Sequence, residues 1–259
     1  MSATNFLACY FDAPMQSYGV ESRFDRRTTL PFPSRSSVSG IICAAMGIDR
    51  DSDRAFLERF AKLKVVVLEL PRKTNKRKDL DISDLCDFHT VGGGYEGTKD
   101  EKLFTPRKSD GKNIKNPVVS YRYYLTDARF GILISGDDAQ IEKFDAALRN
   151  PVWGVWFGRK CCVPASPIAQ GVFDSFDKAV ETLCKRAGCD KPRRVVRDAK
   201  SYNEDGALSY DGALSYMDVP CSFAQSRRGT GDQFQLRRIV VESWEDFLNN
   251  LEKSDNADI

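Results

Sequence analysis

Histidine is almost missing from this chain: His89 is the single one among 259 residues. That scarcity excludes mechanisms needing two imidazoles, and zinc sites built on a histidine pair. No Cys-x-x-Cys occurs among the eight cysteines, and the carboxylates show no metal-ligand spacing, so neither a metal nor a cofactor is expected. No Walker A sequence is present, which leaves ATP hydrolysis without a seat. An excess of one charge is also missing: 39 Lys+Arg face 37 Asp+Glu, a net of +2. Binding to a polyanion would therefore need local grouping of basic residues. No run approaches the roughly 18 apolar residues of a membrane helix, so no membrane contact is expected. Residues 1–12 lack the basic start, apolar run and cleavage site of an export signal. The scattered cysteines are then expected as free thiols in a reducing cytoplasm, and the chain as cytoplasmic.

What is present is an ordinary globular composition, 41% hydrophobic and 29% charged, long enough for one large domain or two small ones. Residues 5–12 read as a short buried strand. A helix is predicted over 37–47, with Ser34 and Ser36 as N-cap candidates and Gly47 as its stop. Phe56, Leu57 and Phe60 mark a second helix over 53–62. Lys64–Leu70 is a β-branched run closed by Pro71, hence a strand. Val118–Thr126 and Phe130–Ser135 read as strands, and Asp137–Asp138 can cap a helix running to Leu148. Val152–Phe157 is expected as a further strand. The order strand, helix, strand, insertion, strand, helix, strand is the split-βαβ, ferredoxin-like pattern, here in an α+β chain. Beyond it, Phe176–Arg186 and Trp244–Leu251 look helical, and Arg193–Val196 and Leu236–Val241 look extended. This gives a core of residues 1–70 and 118–169, an insertion over 71–117, and a mixed C-terminal extension over 170–259 packed on the core.

The insertion is poor in apolar residues and too long for a plain loop; an extended hairpin is expected. It carries Lys73, Lys76, Arg77, Lys78, Lys99, Lys102, Arg107, Lys108, Lys112 and Lys115 among interspersed acids. Its Gly92-Gly93-Gly94-Tyr95-Glu96-Gly97 spells a dinucleotide fingerprint, but it follows no convincing strand pattern and Thr98-Lys99-Asp100 opens no apolar helix, so a flexible turn is the better reading. Gly206–Tyr210 recurs as Gly212–Tyr216, far too short for a solenoid repeat and read as a loop lengthened by duplication.

Several short segments could meet a nucleic acid. After the first strand, Ala13–Gly19 forms a turn in which Gln16 and Tyr18 offer polar or stacking contacts. Arg23, Arg26 and Arg27 beside Phe24 could neutralise phosphates and stack a base. Ser34 and Arg35 stand at a helix start, a place that suits a phosphate. Arg122 lies in an aromatic strand, and Gly158-Arg159-Lys160 joins two cations to a permissive glycine. The bland reading of each alone is a solvated charge cluster or a charged turn. Adjacent Cys161 and Cys162 are read as packing residues.

Three blocks carry a resemblance. Phe11–Gly47 holds Ala-Pro-Met-Gln-Ser-Tyr-Gly, an arginine-rich stretch, Pro-Ser-Arg-Ser and a helix of small apolar residues ending Met-Gly-Ile. Tyr121–Phe130 holds Tyr-Leu-Thr-Asp-Ala-Arg-Phe, and Gly158–Pro167 holds Gly-Arg-Lys-Cys-Cys-Val-Pro-Ala-Ser-Pro. In this order they resemble the CasD family of the CRISPR Cascade complex. The resemblance implies a RAMP-type (RRM-like) ferredoxin core with a protruding thumb at the insertion. It implies a subunit that holds the 5′ handle of the CRISPR RNA and abuts a CasC-like backbone subunit. A CasA-like large subunit would lie alongside, and target DNA would be met through the assembled complex. It also implies an RNA-binding set of Gln16, Tyr18, Arg23, Arg26, Arg27, Ser34, Arg35, Arg107, Lys108, Arg122, Arg159 and Lys160. The rival reading is a metal-independent endoribonuclease acting on precursor RNA, for which His89, Tyr95 and Lys99 could supply base, acid and cation. A ferredoxin-like protein adaptor without RNA contact is the third. The resemblance points to a subtype in which another subunit cuts, so no catalysis is expected.

Overall fold

The computed structural model describes residues 5–19, 25–73, 79–80, 82–91, 117–199, 213–224 and 233–253. Strands β1 (Asn5–Asp12), β2 (Met15–Gln16) and β3 (Arg26–Arg27) precede helices α1 (Arg35–Met46) and α2 (Arg54–Phe60). Then come β4 (Lys64–Glu69), β5 (Arg72–Lys73), β6 (Asp79–Leu80), β7 (Ser83–Val91), β8 (Val118–Thr126), β9 (Arg129–Gly136) and α3 (Asp138–Arg149). The rest is β10 (Ala169–Phe173), α4 (Phe176–Ala187), β11 (Arg194–Asp198), β12 (Leu214–Pro220), β13 (Phe234–Ser243) and α5 (Trp244–Lys253).

Helix α1 starts where Ser34, in an extended conformation, accepts the Ser37 N–H with its hydroxyl, and stops where Gly47 turns left-handed at φ 69°. Strand β1 shows why its sequence is almost continuously apolar. Leu7, Cys9 and Phe11 enter one core cluster, while Phe6, Ala8 and Tyr10 enter another on the opposite face. Alternating side chains on a sheet buried on both faces need apolar residues at every position. Helices α1, α2 and α3 supply the first cluster; α4 and α5 supply Leu183 and Phe247 to the second.

The central sheet has seven strands in the order β10-β1-β9-β4-β11-β13-β12, every neighbouring pair antiparallel. Three expectations change. Val152–Phe157 is not a strand; it is a turn-rich loop, and the strand that pairs with β1 on that side is β10. Val118–Thr126 is a strand, but it leaves the central sheet and pairs with Ser83–Val91 as the second arm of a hairpin, flanked by β2 and β3. The C-terminal region does more than pack on the core: β11 pairs with β4, so three of its strands continue the sheet. The second copy of the short duplication opens β12; the first lies outside the described residues.

A buried ion cluster joins the two ends of the chain. Arg35 pairs with Asp198 at 2.8 Å, and Arg237 grips Asp218 with Nε–Oδ1 at 2.8 Å and Nη2–Oδ2 at 2.6 Å. Arg237 also reaches Asp198 at 3.2 Å, and the Arg35 backbone N–H donates to Asp218 at 2.9 Å. The Arg35 guanidinium donates further to the carbonyls of Phe60, Ala61 and Leu63 at and just past the end of α2. Burial pushes its pKa down and Asp198 pulls it back. Among the described residues no helix is long and apolar enough to cross a membrane.

Removing one member of such a cluster leaves an uncompensated buried charge. Asp218→Ala is expected to lower stability by about 3–5 kcal/mol, read as a fall in the urea midpoint.

Candidate nucleic-acid interface

The turn after β1 is held from inside. Gln16 is fully buried and donates to the Ala128 carbonyl at 2.7 Å; the Tyr18 hydroxyl donates to the Gln16 side chain. Tyr18 lies edge-on to Phe130, and burial raises its hydroxyl pKa well above the usual value. Both side chains were expected to touch RNA. Their side chains are buried and form the internal brace of the turn. Two more of the expected residues are likewise engaged inside the protein. The Ser34 hydroxyl is the cap of α1, and Arg35, only 3% exposed, belongs to the ion cluster.

The braced turn lays the next segment beside the hairpin. The Leu30 N–H donates to the Tyr18 carbonyl at 2.8 Å, and β3 pairs in parallel with β8, Arg26 beside Tyr121 and Arg27 beside Arg122. Against this comes Gly158, at φ 94°. A Cβ there would sit 1.7 Å from the Ser17 carbonyl oxygen, so only glycine fits. The Ser17 N–H donates to the Phe157 carbonyl at 3.0 Å, and Phe157 stacks on Phe11 at 4.5 Å. Arg159 then stitches three segments. It donates to the carbonyls of Tyr123 at 3.2 Å and Arg27 at 2.9 Å and lies 4.4 Å over the Tyr124 ring. Its guanidinium, expected on a phosphate, is largely occupied by the protein itself. Lys160 is exposed, 5.8 Å over the Trp156 ring. Cys162 is buried, and burial pushes its thiol up to about 12; Cys161 is exposed.

These contacts enclose a groove of about 870 Å³. Ser36, Ser37, Gly40 and Ala44 of α1 line it, with Arg27, Arg50, Trp153, Trp156, Gly158, Phe223 and Phe234. A smaller hollow of about 280 Å³ shares Arg27, Ser36, Ser37, Gly158, Phe223 and Phe234, and adds Ser17, Tyr18, Ser34 and Arg159 at its wall. The loop carrying the tryptophans is tied to α1 by the N–H groups of Val152 and Trp153, which donate to Ala45 and Ala44 at 2.9 and 3.1 Å. Asp53, 1% exposed, accepts the Phe223 N–H at 2.6 Å and the Ser222 hydroxyl at 3.2 Å. Trp153, Trp156, Phe223 and Phe234 were not anticipated as site residues. The two tryptophans flanking Gly154 were the available signal, obscured by reading Val152–Phe157 as a strand. Phe223 and Phe234 reach the groove through tertiary contacts alone.

Residues 6–232 match the family described as "CRISPR-associated protein (Cas_Cas5)". The chain belongs to this family. It is 24% identical over 176 residues, 67% of this chain and 73% of the relative, to the CRISPR system Cascade subunit CasD of Escherichia coli (strain K12). A solved chain of a "CRISPR RNA-guided surveillance complex" is similar at a TM-score of 0.65 and 29% identity, covering 92% of this chain and 89% of that one. A chain from a "Crystal structure of Cas protein" is similar at 0.58 and 24% identity, covering 92% and 94%.

In this Cas5-family chain the hairpin arms β7 and β8 present a second surface. Phe88 is 59% exposed and lies across from Tyr121 at 5.3 Å, and the Arg26 guanidinium is 5.8 Å over the Tyr121 ring. Arg122, on the other face, stands opposite Asp87 and donates to the Ser120 hydroxyl at 3.1 Å. Near it His89 Nδ1 lies 3.2 Å from Asp87. Tyr95 and Lys99, the other members of the nuclease trio, lie outside the described residues, as do Arg23, Arg107 and Lys108. Among the described residues no group of three or more His, Cys, Asp or Glu side chains could hold a metal.

Gly158→Ala is expected to destabilise the chain by about 3 kcal/mol or more, since the backbone strain alone costs about 1–3 kcal/mol and the methyl would collide with Ser17. Thermal unfolding measures it; Gly40→Ala is the control at a glycine without positive φ, where a Cβ meets only Phe223 at 3.7 Å.

Proposed function

We propose that this chain is a non-catalytic subunit of a CRISPR Cascade surveillance complex that holds the 5′ handle of the CRISPR RNA in the groove. The observation that carries this reading is the convergence of Arg27, Arg50, the start of α1 and the tryptophan loop on one concave surface, with exposed Lys160 over the Trp156 ring. Cations meet phosphates there, and aromatic rings stack unpaired bases without needing a duplex. The strand order β10-β1-β9-β4 with intervening helices supports a ferredoxin-like, RAMP-type core. RRM-type folds stack bases on an open sheet face. Here both faces are covered: Phe6, Tyr10 and Leu133 are buried beneath α4 and α5. RNA is therefore diverted to the groove beside the sheet and along β3 to the hairpin.

In the same proposal the hairpin is the thumb, abutting a CasC-like backbone subunit at the end of its filament. A CasA-like large subunit lies alongside, and target DNA is met through the whole assembly. The name of the Escherichia coli relative and the surveillance-complex neighbour support membership of such an assembly.

Binding of a handle-sequence RNA by the purified chain, followed by fluorescence anisotropy across a salt series, tests this. Arg27→Ala and Lys160→Ala should each weaken binding and reduce the salt slope by about one. Trp156→Ala should cost about 1–3 kcal/mol with the slope nearly unchanged. Gln16→Ala, by contrast, should act on stability. Wild-type affinity and slope in both cation variants would refute the groove. Specific cleavage of repeat RNA that disappears in His89→Ala would replace this reading with the endoribonuclease.

A further inference from the structure

Asp53 stands where a helix cap is expected and does not act as one. It precedes α2, yet its own backbone is helical, at φ −75° and ψ −20°, and its side chain caps no N–H of that helix. An aspartate at a helix start ordinarily accepts an N–H from the first turn. Here both carboxylate oxygens turn instead to a segment 169 and 170 residues further along. Oδ1 accepts the Ser222 hydroxyl at 3.2 Å, and Oδ2 accepts the Phe223 N–H at 2.6 Å. That segment is also tied to itself. The Ser222 hydroxyl oxygen accepts the Ala224 N–H at 3.1 Å, and the Cys221 N–H donates to the Gln233 carbonyl at 2.7 Å. Phe223, half-buried, lines both the groove and the smaller hollow, and a Cβ on Gly40 of α1 would lie 3.7 Å from its ring.

We propose that Asp53 is a positioning residue for RNA: it aims the Phe223 ring into the groove, where an unpaired base stacks on it. The inference rests on the reading of the groove as the handle site. On electrostatic grounds the carboxylate is out of place. Asp53 is 1% exposed and lines the same groove as Arg27 and Arg50. A negative charge there opposes the phosphates that the arginines attract, and burying a carboxylate is costly unless it is hydrogen-bonded. What the carboxylate supplies is direction. A charged acceptor makes shorter and stronger bonds than a neutral one. Its two bonds reach adjacent residues, one through a backbone N–H and one through a side chain, and so hold the segment in one orientation. A ring held in place before the ligand arrives spares the cost of ordering it on binding. The cap that α2 forgoes and the repulsion that the groove tolerates have the same origin: both oxygens are committed to the segment that carries Phe223.

The test is titration of the full chain with handle-sequence RNA, read by anisotropy across a salt series. From charge alone, Asp53→Ala deletes a repulsive group and should tighten binding. The expected sign is the opposite. Phe223→Ala should weaken binding about 5- to 140-fold, the worth of one stacked base, and Asp53→Ala by about fivefold or more, with the salt slope unchanged. Asp53→Ala added to Phe223→Ala should cost less than about twofold further, because both act through one ring. Asp53→Asn keeps an oxygen for the Phe223 N–H and should recover most of the affinity. Asp53→Ser suits the start of α2 but is too short to reach Phe223. It should fold, as circular dichroism checks, and weaken binding as Asp53→Ala does, so the test stands even if Asp53→Ala does not fold. Unchanged or tighter binding by the alanine and serine variants would overturn the proposal and leave the groove reading in place. So would losses that add in full to that of Phe223→Ala, or an Asp53→Asn variant as weak as Asp53→Ala. A wild-type chain that binds no handle RNA would remove the groove reading and this inference with it.

Discussion

The buried pairing of Arg35 and Arg237 with Asp198 and Asp218 is the constraint on which the functional surface depends. Arg35 opens α1, while its partners come from β11, β12 and β13 near the other end of the chain. Three of the four charges are buried and the partly exposed Asp198 completes the set; each finds an opposite charge with short hydrogen bonds, and Arg35 also closes carbonyls at the end of α2. Well-packed apolar residues could be as stable. Apolar packing would not fix direction, whereas a bidentate arginine–carboxylate contact does. That directional hold sets the groove floor on α1 against the C-terminal strands that lead to Phe223 and Phe234.

The other side of the groove depends on a close approach. The Ser17 carbonyl occupies the space a side chain at 158 would need, so the two loops can touch backbone to backbone. Arg159 then spans the junction, holding Arg27 and Tyr123 by their carbonyls and Tyr124 by its ring. Groove and hairpin are consequently parts of one surface, with β3 as the bridge: Arg27 lines the groove while Arg26 lies over the hairpin aromatic. Arg159, partly buried and bonded to two carbonyls, positions the segments it joins. Lys160, next to it, is exposed.

Burial sorted the basic and polar residues of the signature blocks into two kinds. Gln16, Tyr18, Ser34 and Arg35 are buried and hold the turn and the helix start from inside. Arg26, Arg27 and Lys160 keep their charge toward solvent. Both kinds have the same spelling. An arginine before a helix gives no local sign of whether an aspartate 163 or more residues later will meet it.

The sequence by itself determined the buried first strand, the capped limits of α1, the helices at α3 and α4, the inserted hairpin and the family. Each of these rests on local rules: alternation, a cap, a left-handed glycine, or an ordered set of short blocks. Tertiary structure alone decided that the C-terminal strands extend the central sheet and that β8 leaves it. It also decided that both sheet faces are closed, and that tryptophans and phenylalanines from distant segments share one groove. Strand partnership is set by which hydrogen-bonding edge and which apolar face remain open when the chain collapses. Neither property is written in any single segment, so neither could be read there.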